Sequence, residues 1–326
     1  MPANLTPQYL AAEKQFREAK TPEDKLAALR QMYALIPKHK GTEKLQADIK
    51  RRISKLQDES QKARKKGRRP PAWIVEPEGA GQVAVVGLPN VGKSKIVDEL
   101  TGASPAVADY PFTTQLPQPA MVPFEDVQIQ LVDCPPLFPG HTSHWFSDVL
   151  RHADAWMAVL DLCGEDPASD LRECENELVR VLWPKGAARP DRFMWDIRAT
   201  LFVGSKADSE GASKKSESLK RALPKGADLL SVSVDKSVGM DELPEKLFEL
   251  IEVIRVYSKE PGKKPDMSKP FVLPKGSTLM DVASAVHKDF SSGLRYAKVW
   301  GSGKFEGQTV QKDHVLFDKD VVELHL

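Results

Sequence analysis

The sequence has few cysteines and no long apolar run, and both absences restrict the class of protein that it encodes. Its 326 residues include three cysteines, Cys134, Cys163 and Cys174. Their odd number and irregular spacing argue against a disulfide framework and against a zinc site. No stretch reaches the roughly 18 apolar residues of a membrane span, and the first ten residues lack the basic and apolar regions of a signal peptide. We therefore expect a cytoplasmic protein that has no membrane partner.

Charge is distributed unevenly along the chain, although the net formal charge is only +1. Residues 1–70 contain 18 Lys and Arg against 8 Asp and Glu, a net charge of +10. The middle of the chain is correspondingly acidic, and residues 259–326 are close to neutral. A basic segment of this kind is typical of one that meets a polyanion, and we expect that partner to be RNA. The alternative is that its most basic run, residues 62–69, is only a solvated helix end.

Three regions follow one another, and together they predict an α/β fold class. Residues 1–70 have apolar residues at helical spacing, which predicts a basic helical region. Residues 80–257 alternate short apolar runs with helical stretches, the pattern of a doubly wound, mainly parallel sheet. Residues 269–326 contain strand-like runs around one helix, enough for a small β-grasp domain. In the middle region the predicted strands are 83–87, 129–133, 155–162, 200–205 and 229–233, and the last predicted helix is 241–257.

The stretch GLPNVGKS, residues 87–94, fits the phosphate-loop pattern G-x-x-x-x-G-K-[ST] between a predicted strand and a predicted helix. Its glycines let the backbone wrap around phosphates, while N–H groups at the helix N-terminus face the anion. Lys93 is predicted to reach the β- and γ-phosphates, and Ser94 to bind Mg²⁺. The nucleotide contacts predicted here are Gly87, Pro89, Asn90, Val91, Gly92, Lys93, Ser94 and Lys95.

Two further segments supply groups for the phosphates and the metal. Asp133 ends the predicted strand IQLVD, where its carboxylate can hold magnesium through water. Thr113 and Thr114 lie in the loop DYPFTTQLP, whose hydroxyls could close over the γ-phosphate. We predict Ser94, Thr114 and Asp133 as metal residues, and Lys93, Thr114 and Asp133 as catalytic residues.

A short motif at the end of another strand is predicted to bind the base of the nucleotide. Ser205-Lys206-Ala207-Asp208 follows the predicted strand TLFVG. This spacing lets the Lys206 stem cover a base while the Asp208 carboxylate accepts two hydrogen bonds from guanine N1 and N2. An isolated K-x-D is common, but here it comes in the expected order after the phosphate loop and Asp133.

These motifs resemble those of the P-loop GTPases, and within them the Obg and developmentally regulated GTP-binding (DRG) branch. GLPNVGKS and ADYPFTT carry the resemblance in the middle region, while GSTLMDVASAVHKDF, YAKVWGSGKFEGQ and HVLFDKDVVELHL look like the TGS domain that ends DRG proteins. The resemblance implies GTP or GDP and Mg²⁺ as ligands, with Thr114 as the switch threonine on the metal. It further implies guanine contacts by Lys206 and Asp208, and by the loop Ser233, Val234 and Asp235.

The chain departs from that family's pattern at positions that bear on catalysis. Ser205 replaces the usual Asn of N-K-x-D, Pro136 replaces the Gly of D-x-P-G, and Asp235 stands where a Lys often stacks. DRG proteins carry an extra domain inserted in the G domain, and this sequence shows no counterpart of it. Leu137 occupies a position where related switches often have a water-orienting Gln. We therefore expect slow hydrolysis that depends on a partner protein or on K⁺, for which Asn90 matches a residue of potassium-activated relatives.

The predicted function is a GTP-binding and GTP-hydrolysing switch that docks on the ribosome or on rRNA, with no indication of DNA specificity. Three alternatives stay open. The protein could be an ATPase of the same superfamily, because Ser205 weakens the guanine motif. It could also be a low-turnover nucleotide-binding adaptor for RNA or the ribosome, or an RNA-binding adaptor with a vestigial G domain. The intact set of Lys93, Ser94, Thr114 and Asp133 disfavours the vestigial case.

Overall fold

The structure of the chain is a computed structural model in which two units are distinguished, Met1–Pro71 and Ala72–Leu326. In the first unit, residues 16, 28, 29, 32, 33, 35, 49–52 and 71 are described, and in the second, residues 73–102, 116–183, 195, 199–287, 293–303 and 305–325. The described residues between 16 and 52 are all helical, and Leu29 and Ile49 are buried among them. Both residues lie on the apolar faces that the sequence predicts for this region.

The second unit begins with a six-stranded sheet in which strands alternate with helices. Its strands are β1 (Gln82–Val86), β2 (Gln118–Phe124), β3 (Val127–Asp133), β4 (Ala155–Asp161), β5 (Thr200–Ser205) and β6 (Leu229–Ser231). Its helices are α1 (Lys93–Thr101), α2 (Phe146–His152), α3 (Pro167–Leu182), α4 (Ala212–Ala222) and α5 (Leu243–Leu250). The strand order is β2-β3-β1-β4-β5-β6, with β2 antiparallel to β3 and the other described pairs parallel. The predicted doubly wound α/β sheet is confirmed.

The central strands are buried on both faces, which explains their continuous apolar runs. In β1, Ala84 and Val86 pack into a core with residues of α2, α3 and α4. Val83 and Val85, which alternate with them, pack into a second core with residues of α1 and α5. Because the parallel strands end at one edge of the sheet, the loops that follow β1, β3, β4 and β5 meet there. Within the described residues, no helix has the length and apolarity needed to cross a membrane.

A second, five-stranded sheet follows, with the strand order β10-β9-β11-β7-β8. Its elements are β7 (Val253–Ser258), β8 (Phe271–Pro274), α6 (Leu279–Val286), β9 (Tyr296–Trp300), β10 (Gln308–Val310) and β11 (Asp320–His325). Helix α6 begins at a capping box, in which Thr278 N donates to Asp281 Oδ2 at 2.7 Å. It packs Leu279, Val282 and Ala283 against the inner face of the sheet. One helix against a mixed sheet agrees with the predicted β-grasp domain.

Two elements differ from the sequence predictions. The helix predicted over 241–257 is wrong in its second half, because α5 ends at Leu250 and Val253–Ser258 is strand β7 of the second sheet. Strand β2 was not predicted, since Pro119 and Pro123 interrupt its apolar pattern; both are accommodated because β2 lies at the sheet edge. The domain limits 1–70, 80–257 and 269–326 stay a prediction.

A buried arginine joins the two sheets. Arg255 of β7 is 2% exposed, and its guanidinium donates at 2.6 Å to Asp318 Oδ2, in the loop before β11 of the second sheet. It also donates to Asp126 Oδ1 at 2.8 Å and to Glu125, both in the turn between β2 and β3. The guanidinium carbon lies 4.7 Å from the ring centre of Phe248 on α5. One side chain thus contacts the turn of the first sheet, a helix beneath it and a loop of the second sheet.

Candidate nucleotide-binding site

The loop between β1 and α1 has the backbone geometry that its glycines make possible. Gly87 has φ 158°, and a Cβ added there would lie 2.5 Å from the carbonyl oxygen of Val159 on β4. Gly92 has φ 91° at the start of α1, a conformation that side chains disfavour. Asn90, at φ 63°, is one of the residue types that tolerate the left-handed region. The predicted motif therefore forms a tight loop over the N-terminus of α1.

Lys93 is buried at the first turn of α1, and its side chain returns to the loop. The ammonium Nζ donates to the carbonyl oxygens of Gly87 at 3.1 Å and of Leu88 at 3.0 Å. Burial lowers the pKa of this ammonium group, and the nearby charge of Asp133 acts in the opposite direction. A buried cation whose protein acceptors are neutral carbonyls is well suited to bind a phosphate oxygen, because a charged acceptor makes the stronger hydrogen bond.

Ser94 and Asp133 come together from α1 and β3, as the sequence predicts. Ser94 Oγ donates to Asp133 Oδ2 at 2.6 Å. Asp133 Oδ1 is buried and has no hydrogen-bond partner within the described part of the chain. Burial raises the pKa of the Asp133 carboxyl, although the Ser94 hydrogen bond lowers it. A hydroxyl beside a carboxylate with an unpartnered oxygen fits Mg²⁺, which prefers oxygen ligands. Thr113 and Thr114, the predicted switch threonines, lie outside the described residues.

The loops after β5 and β6 hold the predicted base-reading carboxylate. Ala207 N donates to Val232 O at 2.9 Å, which fixes one loop beside the other. Ser233 Oγ then donates to Asp208 Oδ1 at 2.6 Å. This hydrogen bond lowers the pKa of the exposed Asp208 carboxyl, so at neutral pH the group is an ionised acceptor. One Asp208 oxygen is oriented by the protein, and the carboxylate keeps the capacity to accept further hydrogen bonds.

Lys206 links the base-reading loop to the phosphate loop. Its Nζ donates to Asn90 O at 3.0 Å and to Asp161 Oδ2 at 2.6 Å. Sequence reasoning missed Asp161, which ends β4 directly opposite Ser205 in the β4–β5 register. The available signal was its position next to the end of the predicted strand 155–162, comparable with that of Asp133 at the end of its strand. By binding the ammonium group, the Asp161 carboxylate fixes the Lys206 side chain, whose stem is predicted to cover the base.

Ser205 is buried, and its hydroxyl connects β5 to the phosphate loop. Ser205 Oγ lies 2.6 Å from Val91 O and 3.1 Å from Leu160 O. Ser205 stands where the N-K-x-D motif usually has Asn, and its hydroxyl still makes a hydrogen bond between β5 and the phosphate loop. Two other predicted contacts, Lys95 and Asp235, form an exposed ion pair with 2.5 Å between Nζ and Oδ1. Val234 is half-buried and packs against the core that includes α1.

In the segment after Asp133, the backbone of Leu137 contacts the phosphate loop while its side chain lies in the core. Pro136 has no N–H, and the N–H of Leu137 donates to Gly87 O at 3.0 Å. The Leu137 side chain is fully buried in the core with α2, α3 and α4. Leu137 therefore matches the water-orienting Gln of related switches only in sequence position, because its side chain points into the core.

A buried carboxylate fixes the rest of that segment. Glu177 of α3 accepts hydrogen bonds from Gly140 N at 2.9 Å and from Thr142 N at 3.0 Å. Arg180 pairs with the same carboxylate at 2.7 Å. Burial raises the pKa of Glu177, but the hydrogen bonds from Arg180 and from the loop outweigh it and lower the pKa to about 2. The loop beyond Asp133 is thus held to α3 by an ionised group that sequence reasoning did not find.

Two protein-family models match the chain over the parts that carry this geometry. The model described as 50S ribosome-binding GTPase matches residues 82–190, and the TGS domain model matches residues 254–326. The chain is therefore similar to P-loop GTPases over the first of these ranges and to TGS domains over the second. The first model covers the phosphate loop, Asp133 and Asp161, and the second begins within β7, inside the helix that was wrongly predicted.

Curated relatives extend this family similarity over nearly the whole chain. Developmentally-regulated GTP-binding protein 1 of Xenopus laevis is 26% identical over 360 aligned positions, covering 92% of this chain and 98% of that protein. A GTP-binding protein of Methanocaldococcus jannaschii is 27% identical over 365 positions, covering 93% of this chain and 92% of that protein. Both alignments are longer than the 326-residue chain, so both relatives have residues that it lacks. The DRG resemblance predicted from the sequence is confirmed.

A solved structure supports the fold. The YchF GTPase of Schizosaccharomyces pombe superposes with a TM-score of 0.52 at 15% identity, covering 77% of this chain and 99% of that one. At this identity the likeness concerns architecture alone.

Proposed function

We propose that this protein binds GTP and GDP together with Mg²⁺ and hydrolyses GTP as a molecular switch. The observation that carries the proposal is the Ser94–Asp133 pair beside the buried Lys93 ammonium, in which one buried Asp133 oxygen has no partner among the described residues. In this proposal Lys93 binds the β- and γ-phosphates, Ser94 ligates the metal, and Asp133 holds it through water. Magnesium, when bound, neutralises charge that develops on the phosphate oxygens.

Guanine selectivity is the part of the proposal that separates it from an ATPase. The Asp208 carboxylate is ionised and oriented by Ser233. Guanine presents its N1–H and exocyclic amine as two adjacent donors, which one carboxylate can accept together. Adenine presents no such pair of donors, so the carboxylate would face a poorly matched edge. The hydrogen bond from Ser205 to Val91 also supports guanine binding, because it holds the phosphate loop to β5 although the usual Asn is absent.

We expect Asp208→Asn to lower GDP affinity by about 100-fold or more, because the charged acceptor is lost. The amide oxygen can still accept from guanine N1–H, but the amide NH2 then faces the exocyclic amine, donor against donor. Xanthosine diphosphate, which has a carbonyl in place of the exocyclic amine, should then bind better than GDP. Titration calorimetry with GDP, xanthosine diphosphate and ADP in magnesium buffer measures this. Asp241→Asn, at an exposed position, is the matched control. Wild-type protein that binds ATP as tightly as GTP would contradict the proposal.

Hydrolysis is proposed to be slow without assistance. Pro136 has no N–H to offer the γ-phosphate, the N–H of Leu137 is already bonded, and the Leu137 side chain is in the core. We propose that K⁺ at Asn90, or a docked protein partner, supplies the missing stabilisation of charge between the phosphates. The alternative role of Asn90 is that of a turn residue only, since its backbone is left-handed.

We expect GTP turnover to be several-fold faster in potassium chloride than in equal sodium chloride, because a matched cation offsets transition-state charge. Asn90→Gly should remove this difference. Glycine is the informative substitution because it accepts the φ of 63° at position 90, whereas alanine adds backbone strain. Phosphate release under both salts, with and without the substitution, is the measurement. Fast turnover in sodium that Asn90→Gly leaves unchanged would remove potassium from the proposal.

Ribosome or rRNA association is the proposed setting of the switch, and it would place the protein with ribosomes in the cytoplasm. Support comes from the +10 charge of residues 1–70 and from the family described as 50S ribosome-binding GTPase. Counterion release from such a segment gives affinity that falls steeply with salt. A low-turnover adaptor would share the binding and lack stimulated hydrolysis, so turnover measured with ribosomes present separates the two roles.

A further inference from the structure

The outer face of the second sheet carries rings and cations side by side. In β9, Ala297 and Val299 point into the core, so the residues that alternate with them point away from it. The neighbouring strand β11 places His325 opposite Tyr296 and Glu323 opposite Lys298. The stacking face, as we name this surface, consists of Lys259, Tyr296, Lys298, Trp300, Glu323 and His325.

The rings of the stacking face are held in fixed positions. Tyr296 is 40% exposed, and its ring stacks on that of His325 with 4.4 Å between centroids and 11° between planes. Lys259 Nζ lies 4.1 Å from the ring centre of Trp300, which is half-buried. An exposed ring that already rests on a second parallel ring is a rigid platform, so a planar ligand that stacks there loses little protein entropy.

The charge of the stacking face favours a polyanion. Its one carboxylate, Glu323, is nearly buried and accepts hydrogen bonds from Lys259 Nζ at 2.8 Å and from the His325 ring nitrogen at 2.8 Å. Lys298 lies on the same face, and the exposed Arg295 precedes β9 in the chain. The partly exposed charge is therefore positive. Cations interleaved with stackable rings match a strand whose bases are unpaired, whereas a duplex keeps its base faces covered.

The rest of the same face is covered by the first sheet. Tyr257 of β7 donates to Asp126 in the β2–β3 turn, and Arg255 pairs with that carboxylate at 2.8 Å. The β9–β11 half of the face lies beyond these contacts. A ligand there would adjoin the domain that carries the nucleotide site.

We propose that the stacking face binds single-stranded RNA, with one base stacked on Tyr296 and the backbone phosphates near Lys298 and Arg295. The proposal rests on the RNA association proposed above and adds to it a surface and a mode of contact. Residues 1–70 attract RNA through charge alone, whereas the stacking face selects unpaired bases.

Fluorescence anisotropy of a labelled ten-nucleotide oligouridylate with the full-length protein tests the proposal. We expect Tyr296→Ala to weaken binding by about 5-fold or more, the loss typical of one base–aromatic stack. Tyr296→Phe keeps the ring and should bind like wild type. Moderate salt and an excess of polyphosphate suppress the contribution of the basic segment. A 4-thiouridine oligonucleotide should crosslink to β9 in wild-type protein.

Ribosome co-sedimentation of wild type and Tyr296→Ala separates the failure of this inference from that of the proposed function. If wild type sediments with ribosomes while Tyr296→Ala matches it in every assay and crosslinks fall outside β9, the stacking face is overturned and RNA association stands. Tighter binding of a duplex than of the single strand would overturn it too. If wild type neither sediments nor binds the oligonucleotide, both proposals fail. Unchanged GDP affinity and melting temperature check that Tyr296→Ala is folded.

Discussion

Lys93→Met should reduce GDP affinity by on the order of 100-fold or more, because the β-phosphate loses a buried, charge-assisted hydrogen bond. Methionine is the sharper substitution, since it keeps an unbranched stem and removes the ammonium group with its charge and its two hydrogen bonds. In the native protein the ammonium is already desolvated and held by two loop carbonyls, so little reorganisation opposes binding of a phosphate. Titration calorimetry or a fluorescent GDP analogue gives the dissociation constant.

Lys246→Met on α5 is the matched control, because that lysine is exposed and pairs only with Glu249 among the described residues. Its GDP affinity should equal that of wild type. A far-UV circular dichroism melt shows whether Lys93→Met remains folded. Near-unchanged GDP binding by folded Lys93→Met would mean that the phosphate loop is not the nucleotide site, and the proposed function would fall with it.

The predictable part of the site consists of residues that follow strands at fixed spacing. Lys93, Asp133 and Asp208 each belong to a short motif whose chemistry requires a strand, a turn and a particular side chain in order. Parallel topology then brings the motifs together without further information, because the parallel strands all end at the same edge. The structure brings Ser94 to Asp133 and Lys206 to Asn90 across long sequence separations.

What the sequence could not show depends on packing between distant elements. Asp161 and Glu177 look like ordinary surface carboxylates in the sequence, and their roles appear only when Lys206 and the loop of Thr142 lie beside them. Strand β7 follows α5 after only two residues, so the predicted helix was continued through it, although its β-branched and aromatic residues favour a strand and β8 and β11 pair with it.

The contacts of Arg255 are the strongest example of information absent from the sequence. Hydrogen bonds to Asp318 above all, and also to Glu125 and Asp126, raise the already high pKa of the Arg255 guanidinium. Tyr257 donates to Asp126, and Lys319 pairs with Glu125 at 2.9 Å. Nothing in the local sequence of β7 indicates that a charged residue in an apolar strand meets three carboxylates.

Arg255→Leu should lower the free energy of unfolding of this unit by about 3–5 kcal/mol, the usual loss when one partner of a buried ionic cluster is removed. Leucine fills much of the space but leaves three carboxylates close together without their common cation, and it removes the contact with Phe248. Urea denaturation followed by circular dichroism measures the change. Arg221→Leu, at an exposed position of α4, should change stability little.

The dependence on pH distinguishes this electrostatic account from simple loss of packing. Burial raises the pKa of Asp318, but the hydrogen bonds from Arg255 outweigh it and hold the folded-state pKa below the ordinary value of 3.8. The pKa of Asp126 is lowered in the same way, with a further hydrogen bond from Tyr257. A depressed pKa contributes stability above the unfolded value that is lost as pH falls through the folded value. The difference in unfolding free energy between wild type and Arg255→Leu should therefore be largest near neutral pH and should shrink as pH falls through the range in which these carboxylates are protonated.

Two further variants keep the test decisive if Arg255→Leu is too unstable to study. Arg255→Lys retains the charge but loses the planar fork that reaches several carboxylates at once, so it should fall between wild type and Arg255→Leu. Adding Asp318→Asn to Arg255→Leu removes one of the stranded charges and should restore part of the stability, which gives a double-mutant cycle for the pair. If Asp318→Asn lowers stability equally in both backgrounds and the loss is the same at every pH, Arg255 contributes packing only. In that case the ionic contacts between the β2–β3 turn and the second sheet do not stabilise the unit.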